Sequence, residues 1–175
     1  MNQKQTIYIC LFLILVLFTI KNPVFAEQII PEYQVENIRG FLLYLEKDYE
    51  KAIECFLRVI KLNPEYVTAF NNLGSCYYQM KDYERAIQYF QKVIELDENY
   101  TKAYLNLGAC YFWQSRYLKA YNYYLKSKKI DPKYTASRID TEKYIVLIEN
   151  KLKDNPEDEE LKMIYHKLLE YTQKD

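Results

Sequence analysis

VTAFNNLGSCYYQMKDYERAIQYFQKVIELDENY, residues 67–100, is followed directly by TKAYLNLGACYFWQSRYLKAYNYYLKSKKIDPKY, residues 101–134, and the two segments are identical at 12 positions. Composition alone would give about two identities, so the similarity is an internal repeat. Residues 33–66 extend it upstream with 14 identities to 67–100. The residues that keep the 34-residue spacing through all three segments are Gly40, Gly74 and Gly108, and Ala52, Ala86 and Ala120.

The small and aromatic residues of this period indicate pairs of closely packed helices. Glycine and alanine let two helices approach, and aromatic side chains fill the space beside them. Lys47-Asp48 and Lys81-Asp82 mark a turn between the two helices of a unit. Asn63-Pro64 and Asp131-Pro132 mark a turn between units, because a residue before proline avoids the α region. Only three glycines occur in 175 residues, which also favours helices over glycine-rich loops.

The repeat resembles the tetratricopeptide repeat, a helix-turn-helix unit of this length. The second repeat carries the family's pattern in Phe70, Leu73, Gly74, Tyr77, Ala86 and Phe90, and Pro64 and Pro132 close the first and third repeats. The departures are Glu36 and Arg39 in the first repeat and Glu98 in place of the closing proline of the second. The resemblance implies an all-α fold, a right-handed α-solenoid of three repeats at 33–66, 67–100 and 101–134.

Residues 135–175 depart from the period but keep helical patterning. A helix is expected at about 135–153 with Ile145, Ile148 and Leu152 on one face. A second helix is expected to start at Asn155-Pro156, with Asn155 as its N-cap and proline in its first turn. Its inward residues would be Leu161, Ile164, Tyr165 and Leu168. These residues predict a C-terminal capping helical hairpin, and a degenerate fourth repeat is the alternative description.

The first 26 residues predict a signal peptide. Lys4 precedes an apolar run at 7–20, and Val24-Phe25-Ala26 suits cleavage before Glu27, which leaves a short linker at 27–32. The alternative is an uncleaved anchor that associates with a membrane through residues 7–20. As a helix, those residues would span only about 21 Å of a hydrocarbon core about 30 Å thick. The expected location is therefore outside the cytoplasm, in the periplasm or cell envelope, or secreted.

The family resemblance implies a groove lined by the first helix of each repeat, which binds a partner protein or peptide. The implied groove residues are Asn37, Phe41, Tyr44, Thr68, Asn71, Ser75, Tyr78, Lys102, Leu105, Phe112 and Trp113. Tyr44, Tyr78 and Phe112 would form an aromatic ladder, and aromatic side chains dominate binding hot spots. Some of them would alternatively pack against the capping hairpin. A second functional hypothesis is a carbohydrate or cell-wall binding module, because the same rings stack on sugars.

A more specific version of that groove in the family grips a C-terminal carboxylate with lysines and asparagines. Asn72 and Lys102 match two of its five positions. Asn37 stands in place of a lysine, Phe41 in place of an asparagine, and Asn106 in place of a second basic residue. Two of the three cations are absent, which removes most of the charge-assisted binding to a carboxylate. The sequence therefore argues against this form of the groove.

Charge and side-chain inventory argue against other functions. Without residues 1–26 the chain has 22 basic residues (24 minus Lys4 and Lys21) against 24 acidic ones, so no nucleic acid partner is expected. His166 is the single histidine and falls on the outer face of the last predicted helix, so no catalytic residues, metal site or cofactor are predicted. Cys55, Cys76 and Cys110 are interpreted as small buried residues. We predict no enzyme activity, and the sequence leaves the oligomeric state open.

Processing of the leader can be measured directly. We expect N-terminal sequencing of the protein recovered from an exporting cell to begin at Glu27, because the small residue at 26 ends the segment that a signal peptidase recognises. Replacing Ala26 by a bulky residue, Ala26→Trp, should slow cleavage and leave a larger species in the membrane fraction. A mature protein that still begins at Met1 would contradict the signal peptide and support the anchor.

Overall fold

The computed structural model describes residues 30–172, and every regular element in that range is an α-helix. The helices are α1 (Glu32–Leu45), α2 (Tyr49–Leu62), α3 (Val67–Gln79), α4 (Tyr83–Leu96), α5 (Thr101–Trp113), α6 (Tyr117–Ile130), α7 (Pro132–Arg138), α8 (Thr141–Asp154) and α9 (Glu159–Thr172). Helices α1 to α6 pair as three helix-turn-helix repeats, which confirms the α-solenoid. The predicted signal peptide at 1–26 lies outside the described residues, as do residues 27–29 and 173–175.

The turn inside each repeat is the same three times. Lys47, Lys81 and Ser115 follow the first helix of each repeat, and all three have a left-handed backbone with φ between 58° and 65°. In the first repeat Asp48 N–H donates to the Leu43 carbonyl and Lys47 N–H donates to the Tyr44 carbonyl, and this pair of bonds recurs in the other two repeats. These bonds satisfy the last carbonyl groups of the helix and stop it at a fixed residue.

Aspartate starts the second helix in two of the repeats. The carboxylate of Asp48 accepts the backbone N–H of Lys51 at 3.3 Å, and that of Asp82 accepts the N–H of Arg85 at 3.0 Å. In the third repeat Arg116 occupies this position, and its side chain makes no capping hydrogen bond. The turns predicted at Lys47-Asp48 and Lys81-Asp82 are therefore confirmed, and the side chain of each aspartate explains where the next helix begins.

Each repeat is held together where a glycine of its first helix meets the second helix. An added Cβ on Gly40 would lie 2.8 Å from Phe56 Cε1, and one on Gly74 would lie 2.6 Å from Phe90 Cε1. Both phenylalanines are fully buried. At Gly108 the nearest atom to an added Cβ is the backbone oxygen of Ala120 at 3.2 Å. The phenylalanine ring has no counterpart over that glycine, so the third repeat is packed less tightly than the first two.

The C-terminal segment is divided differently from the sequence prediction. The single helix expected at 135–153 is wrong: α7 ends at Arg138, Ile139 is extended, and Asp140 caps α8 by accepting the N–H of Lys143 at 3.1 Å. The last helix begins later than predicted, because the carboxylate of Asp158 accepts the N–H of Leu161 at 2.9 Å and sets its first turn. Asn155 and Pro156 lie in the preceding turn.

The two long C-terminal helices close the end of the array. Helix α8 packs on α9, and α9 packs back on α6. Of the core residues predicted for these helices, Leu152 is half-buried, and the buried ones are Ile145, Ile148, Leu161, Ile164 and Leu168. Tyr165 is half-buried and donates its hydroxyl proton to Glu149 at 2.7 Å. The C-terminal helices therefore pack on the third repeat, as a capping segment would, although their boundaries differ from those predicted.

The glycine contact predicts a difference between two otherwise equivalent substitutions. Gly74→Ala places a methyl group against the buried ring of Phe90, and overpacking of this kind lowers stability by about 1–3 kcal/mol. Gly108→Ala gains the same helix propensity but meets no ring, so it is the matched control. Chemical denaturation should show Gly74→Ala to be less stable than Gly108→Ala by more than about 1 kcal/mol. Equal free energies of unfolding would show that the ring contact does not set the packing.

Candidate functional site

A groove crosses the first helices of the three repeats. It encloses about 210 Å³, and its walls come from α1, α3 and α5, with one residue each from α4 and α7. The lining residues are Phe41, Tyr44, Asn72, Ser75, Tyr78, Gln79, Phe90, Lys102, Asn106 and Arg138. The repeated turn ends each first helix at an equivalent residue, so equivalent positions of the repeats face the groove. We call this site the repeat groove.

One row of hydrogen bonds joins asparagines of adjacent repeats at the base of the groove. Asn72 donates its amide to the side-chain oxygen of Asn37 at 3.2 Å, and Asn106 donates to Asn71 at 3.2 Å. Each pair is separated by 35 residues, one more than the repeat period. Position five of one repeat thus accepts from position six of the next. These bonds fix the amide orientations and leave the second N–H of each donor available to a ligand.

A second row joins the other ends of the same helices. Gln79 donates its amide to the Tyr44 hydroxyl at 3.2 Å, and Trp113 donates its indole N–H to the Tyr78 hydroxyl at 2.8 Å. These pairs also lie 35 residues apart. Each tyrosine oxygen acts as an acceptor in the row, so its own proton remains available to a ligand. Burial raises the pKa of Tyr78, and the bond from Trp113 opposes that shift only in part.

Most of the predicted groove residues lie in or beside the repeat groove. Phe41, Tyr44, Ser75, Tyr78 and Lys102 line it. Asn37 is half-buried at its base, where it accepts from Asn72. Trp113 is 53% exposed at the end of the second row. Thr68 is half-buried and is not part of the lining.

Asn71 is a correction to the predicted site. Its side chain is only 1% exposed, and its oxygen already accepts from Asn106. Its backbone carbonyl accepts the hydroxyl proton of Ser75 at 2.9 Å. Asn71 therefore joins two repeats from inside the array and does not reach the surface that a ligand would touch.

Phe112 and Leu105 are the second correction. Phe112 is 7% exposed, and its ring meets those of Tyr117 and Tyr144 edge-on at centroid distances of 5.5 and 5.7 Å. Leu105 and Phe112 line a separate apolar pocket between the third repeat and α8. The aromatic ladder therefore has two members in the groove, Tyr44 and Tyr78. The third is covered by the C-terminal helices, the alternative that the sequence left open.

Arg138 is a groove residue that the sequence did not indicate. It is the last residue of α7 and lies in the lining with Lys102, while the lining contains no aspartate or glutamate. Among the ion pairs of residues 30–170, none includes either cation. The pKa of Lys102 is lowered, first by removal of water around its ammonium group and then by the charge of Arg138. The groove therefore holds an excess of positive charge.

The described cysteine and histidine side chains lie outside the repeat groove. Within the described residues, no cluster of three or more His, Cys, Asp or Glu side chains is arranged to bind a metal ion. Cys55, Cys76 and Cys110 are buried free thiols, as predicted, and burial raises the pKa of both Cys76 and Cys110 to about 12. His166 is exposed on α9. None of the helices between residues 30 and 172 has the length and apolar composition needed to cross a membrane.

Sequence comparison agrees with the repeat architecture. Models described as tetratricopeptide repeat match residues 67–100 and 101–134, and one described as TPR repeat matches 40–81. The three matches run without a gap from residue 40 to residue 134. A search of curated proteins finds no significant match.

Solved structures show the same fold. The second TPR of Spaghetti (RPAP3) bound to HSP90 peptide SRMEEVD is 25% identical with a TM-score of 0.56, over 61% of this chain and 98% of that one. The first TPR of Spaghetti (RPAP3), bound to the same peptide, is 23% identical with a TM-score of 0.58, over 61% of this chain and 86% of that one. The Arabidopsis OM64 TPR domain is 24% identical with a TM-score of 0.56, over 61% and 92%.

The proximity of the two cations can be tested by NMR. Arg138→Gln removes one of the two causes of the lowered pKa of Lys102, so that pKa should rise, while the effect of burial remains. Titration of the Lys102 Nζ or Cε signal measures it. Lys133→Gln is the control, because Lys133 is exposed on the same helix and is not among the causes of the shift. Equal effects of the two substitutions would contradict a direct interaction in the groove.

Proposed function

Because residues 40–134 of this chain are tetratricopeptide repeats, we propose that the protein is an exported adaptor whose repeat groove binds an extended, acidic segment of a partner protein. The excess positive charge at Lys102 and Arg138 is the observation that carries the proposal. Two cations that share a lining without a carboxylate repel each other, which agrees with the lowered pKa of Lys102. A carboxylate bound between them would relieve that repulsion and form charge-assisted hydrogen bonds.

The remaining groove residues suit a peptide backbone. Asn72, Asn106 and Gln79 present amide groups that the inter-repeat bonds hold in place, and such preorientation reduces the entropy lost on binding. Phe41 is 46% exposed, and its ring lies 6.4 Å from that of Tyr44, which offers apolar contact beside the polar row. The groove is short, so the expected affinity is micromolar.

The similar structures support a peptide ligand. Both TPR domains of Spaghetti are described in complex with the heptapeptide SRMEEVD, in which three of the seven residues are acidic. This chain keeps one cation of the family's carboxylate-binding pattern, Lys102, and lacks the other two. Lys102 comes from the third repeat, and Arg138 comes from α7 beyond it. We therefore propose acidic side chains as the recognised feature, with no requirement for a free C-terminus.

Export is proposed on the sequence of residues 1–26. The short basic start, the apolar run at 7–20 and the small residue at 26 form the three parts of a signal peptide. An exported adaptor would meet its partner in the periplasm, in the cell envelope or outside the cell. The buried, unreactive thiols suit this location, because high thiolate pKa values slow oxidation and disulfide exchange.

Titration of the fluorescence of Trp113, the single tryptophan, tests the groove directly. The acidic probe SRMEEVD should bind, and its amide counterpart SRMQQVN, which has no acidic side chain, should bind at least about tenfold more weakly, since hydrogen bonds to charged groups contribute about 1.5 kcal/mol or more. Lys102→Gln and Arg138→Gln should each weaken binding of the acidic probe about tenfold. Tyr78→Ala should also weaken its binding, through loss of contact area.

Two controls make that result specific. Lys61→Gln removes one positive charge from the exposed surface of α2 and should leave the affinity unchanged. An equal loss of affinity in Lys61→Gln and Lys102→Gln would indicate nonspecific charge attraction and would contradict binding in the groove. Cell-wall fragments provide the other control. If they quench Trp113 while both peptides fail to do so, the carbohydrate-binding alternative replaces the proposal.

A further inference from the structure

An apolar stripe runs along the outer side of α1. Val35, Ile38, Leu42 and Leu45 are spaced by three, four and three residues, so they share one helix face. Their exposed fractions are 49%, 53%, 54% and 59%. Four large aliphatic side chains in a row on one helix are unusual for a free surface. We call them the α1 stripe.

In the later repeats, the equivalent positions form the contact with the preceding repeat. Val35 and Leu42 correspond to Ala69 and Cys76 in the second repeat and to Ala103 and Cys110 in the third. All four of those residues have no exposed surface. Ala103 lies in one apolar cluster with Phe70 and Val93 of the second repeat. The α1 stripe therefore occupies the face that a neighbouring helical repeat covers elsewhere in the array.

The other two stripe positions differ in chemistry from their counterparts. Ile38 corresponds to Asn72 and Asn106, and Leu45 corresponds to Gln79 and Trp113. Those four side chains donate the hydrogen bonds that join each repeat to the one before it. Isoleucine and leucine cannot donate such bonds. The first repeat therefore lacks the groups that would join it to another repeat of its own kind, and it presents an aliphatic surface instead.

The geometry points to a second copy of this chain as the partner, paired through antiparallel α1 helices. The stripe is symmetric about residue 40, because Val35 mirrors Leu45 and Ile38 mirrors Leu42. A two-fold contact requires a surface that is complementary to itself in this way. Antiparallel pairing would bring Val35 against Leu45 and Ile38 against Leu42 of the other copy, at both ends of the contact. Gly40 at the centre faces Phe56 within its own repeat and stays out of the interface.

Paired charge substitutions test this arrangement. Sedimentation equilibrium of the purified mature protein, beginning at Glu27, should show a dimer at concentrations up to about 100 µM. Ile38→Glu and Leu42→Lys each place one charge in the apolar contact and should raise the dimer Kd more than about tenfold. Mixing the two variant proteins should restore dimers, because each antiparallel heterodimer sets the new glutamate against the new lysine and leaves Leu42 against Ile38.

The design separates this arrangement from its alternatives. In a parallel pair, or in a head-to-tail stack on α8 and α9, the two new charges would not meet, and the mixture would stay monomeric. Leu57→Glu is the matched control, since it adds a charge to an exposed leucine of α2 and should leave the dimer intact. Circular dichroism of each variant checks that the helices are retained. A wild-type protein that stays monomeric throughout would overturn the proposal.

Discussion

The contact between a glycine of one helix and a phenylalanine ring of the next sets the spacing on which the array depends. Gly74 has no Cβ, so the ring of Phe90 lies against the backbone of α3 and both residues are buried. Gly40 and Phe56 form the same contact in the first repeat. A single helical pair cannot bury its apolar face alone, and each repeat is stabilised mainly by its neighbours. A fixed spacing inside each pair therefore fixes how the next pair stacks.

The third repeat shows what happens when that contact is missing. Tyr124 replaces the phenylalanine and stays half-buried, and a pocket of about 70 Å³ lies beside Gly108 and Ala120. Helices α8 and α9 close it with Tyr144, Ile148, Ile164 and Leu168. The capping helices thus supply packing that the repeat itself lacks. The same covering removes Phe112 from the groove, so the stability of the array's end and the extent of its binding surface are linked.

Periodicity made the repeats, their turns and half of the groove predictable from the sequence. A residue such as Tyr78 can be placed because its surroundings recur every 34 residues, and the repeat before it already defines which side faces the groove. Asn71 could not be placed in this way, because its burial depends on the specific bond from Asn106. The sequence prediction misplaced Phe112 and missed Arg138 for a different reason. Their environment is made by helices beyond residue 131, where the period ends and a proline and an extended Ile139 redirect the chain.

The charge at Lys102 and Arg138 is the basis of the proposed acidic ligand. Two neighbouring cations are usually accompanied by a carboxylate, and another part of this chain shows that arrangement. Glu36 accepts a hydrogen bond from Arg58 at 3.0 Å. Arg58 and Arg39 together hold the pKa of the Glu36 carboxyl below its ordinary value. The repeat groove has the opposite arrangement: the pKa of Lys102 is lowered, and no aspartate or glutamate in the lining offsets its charge. Proteins keep such local conflicts mainly at functional sites, where the compensating group arrives with the ligand. An acidic segment would supply that group, and the amide rows on either side would hold its backbone while its carboxylates meet the cations.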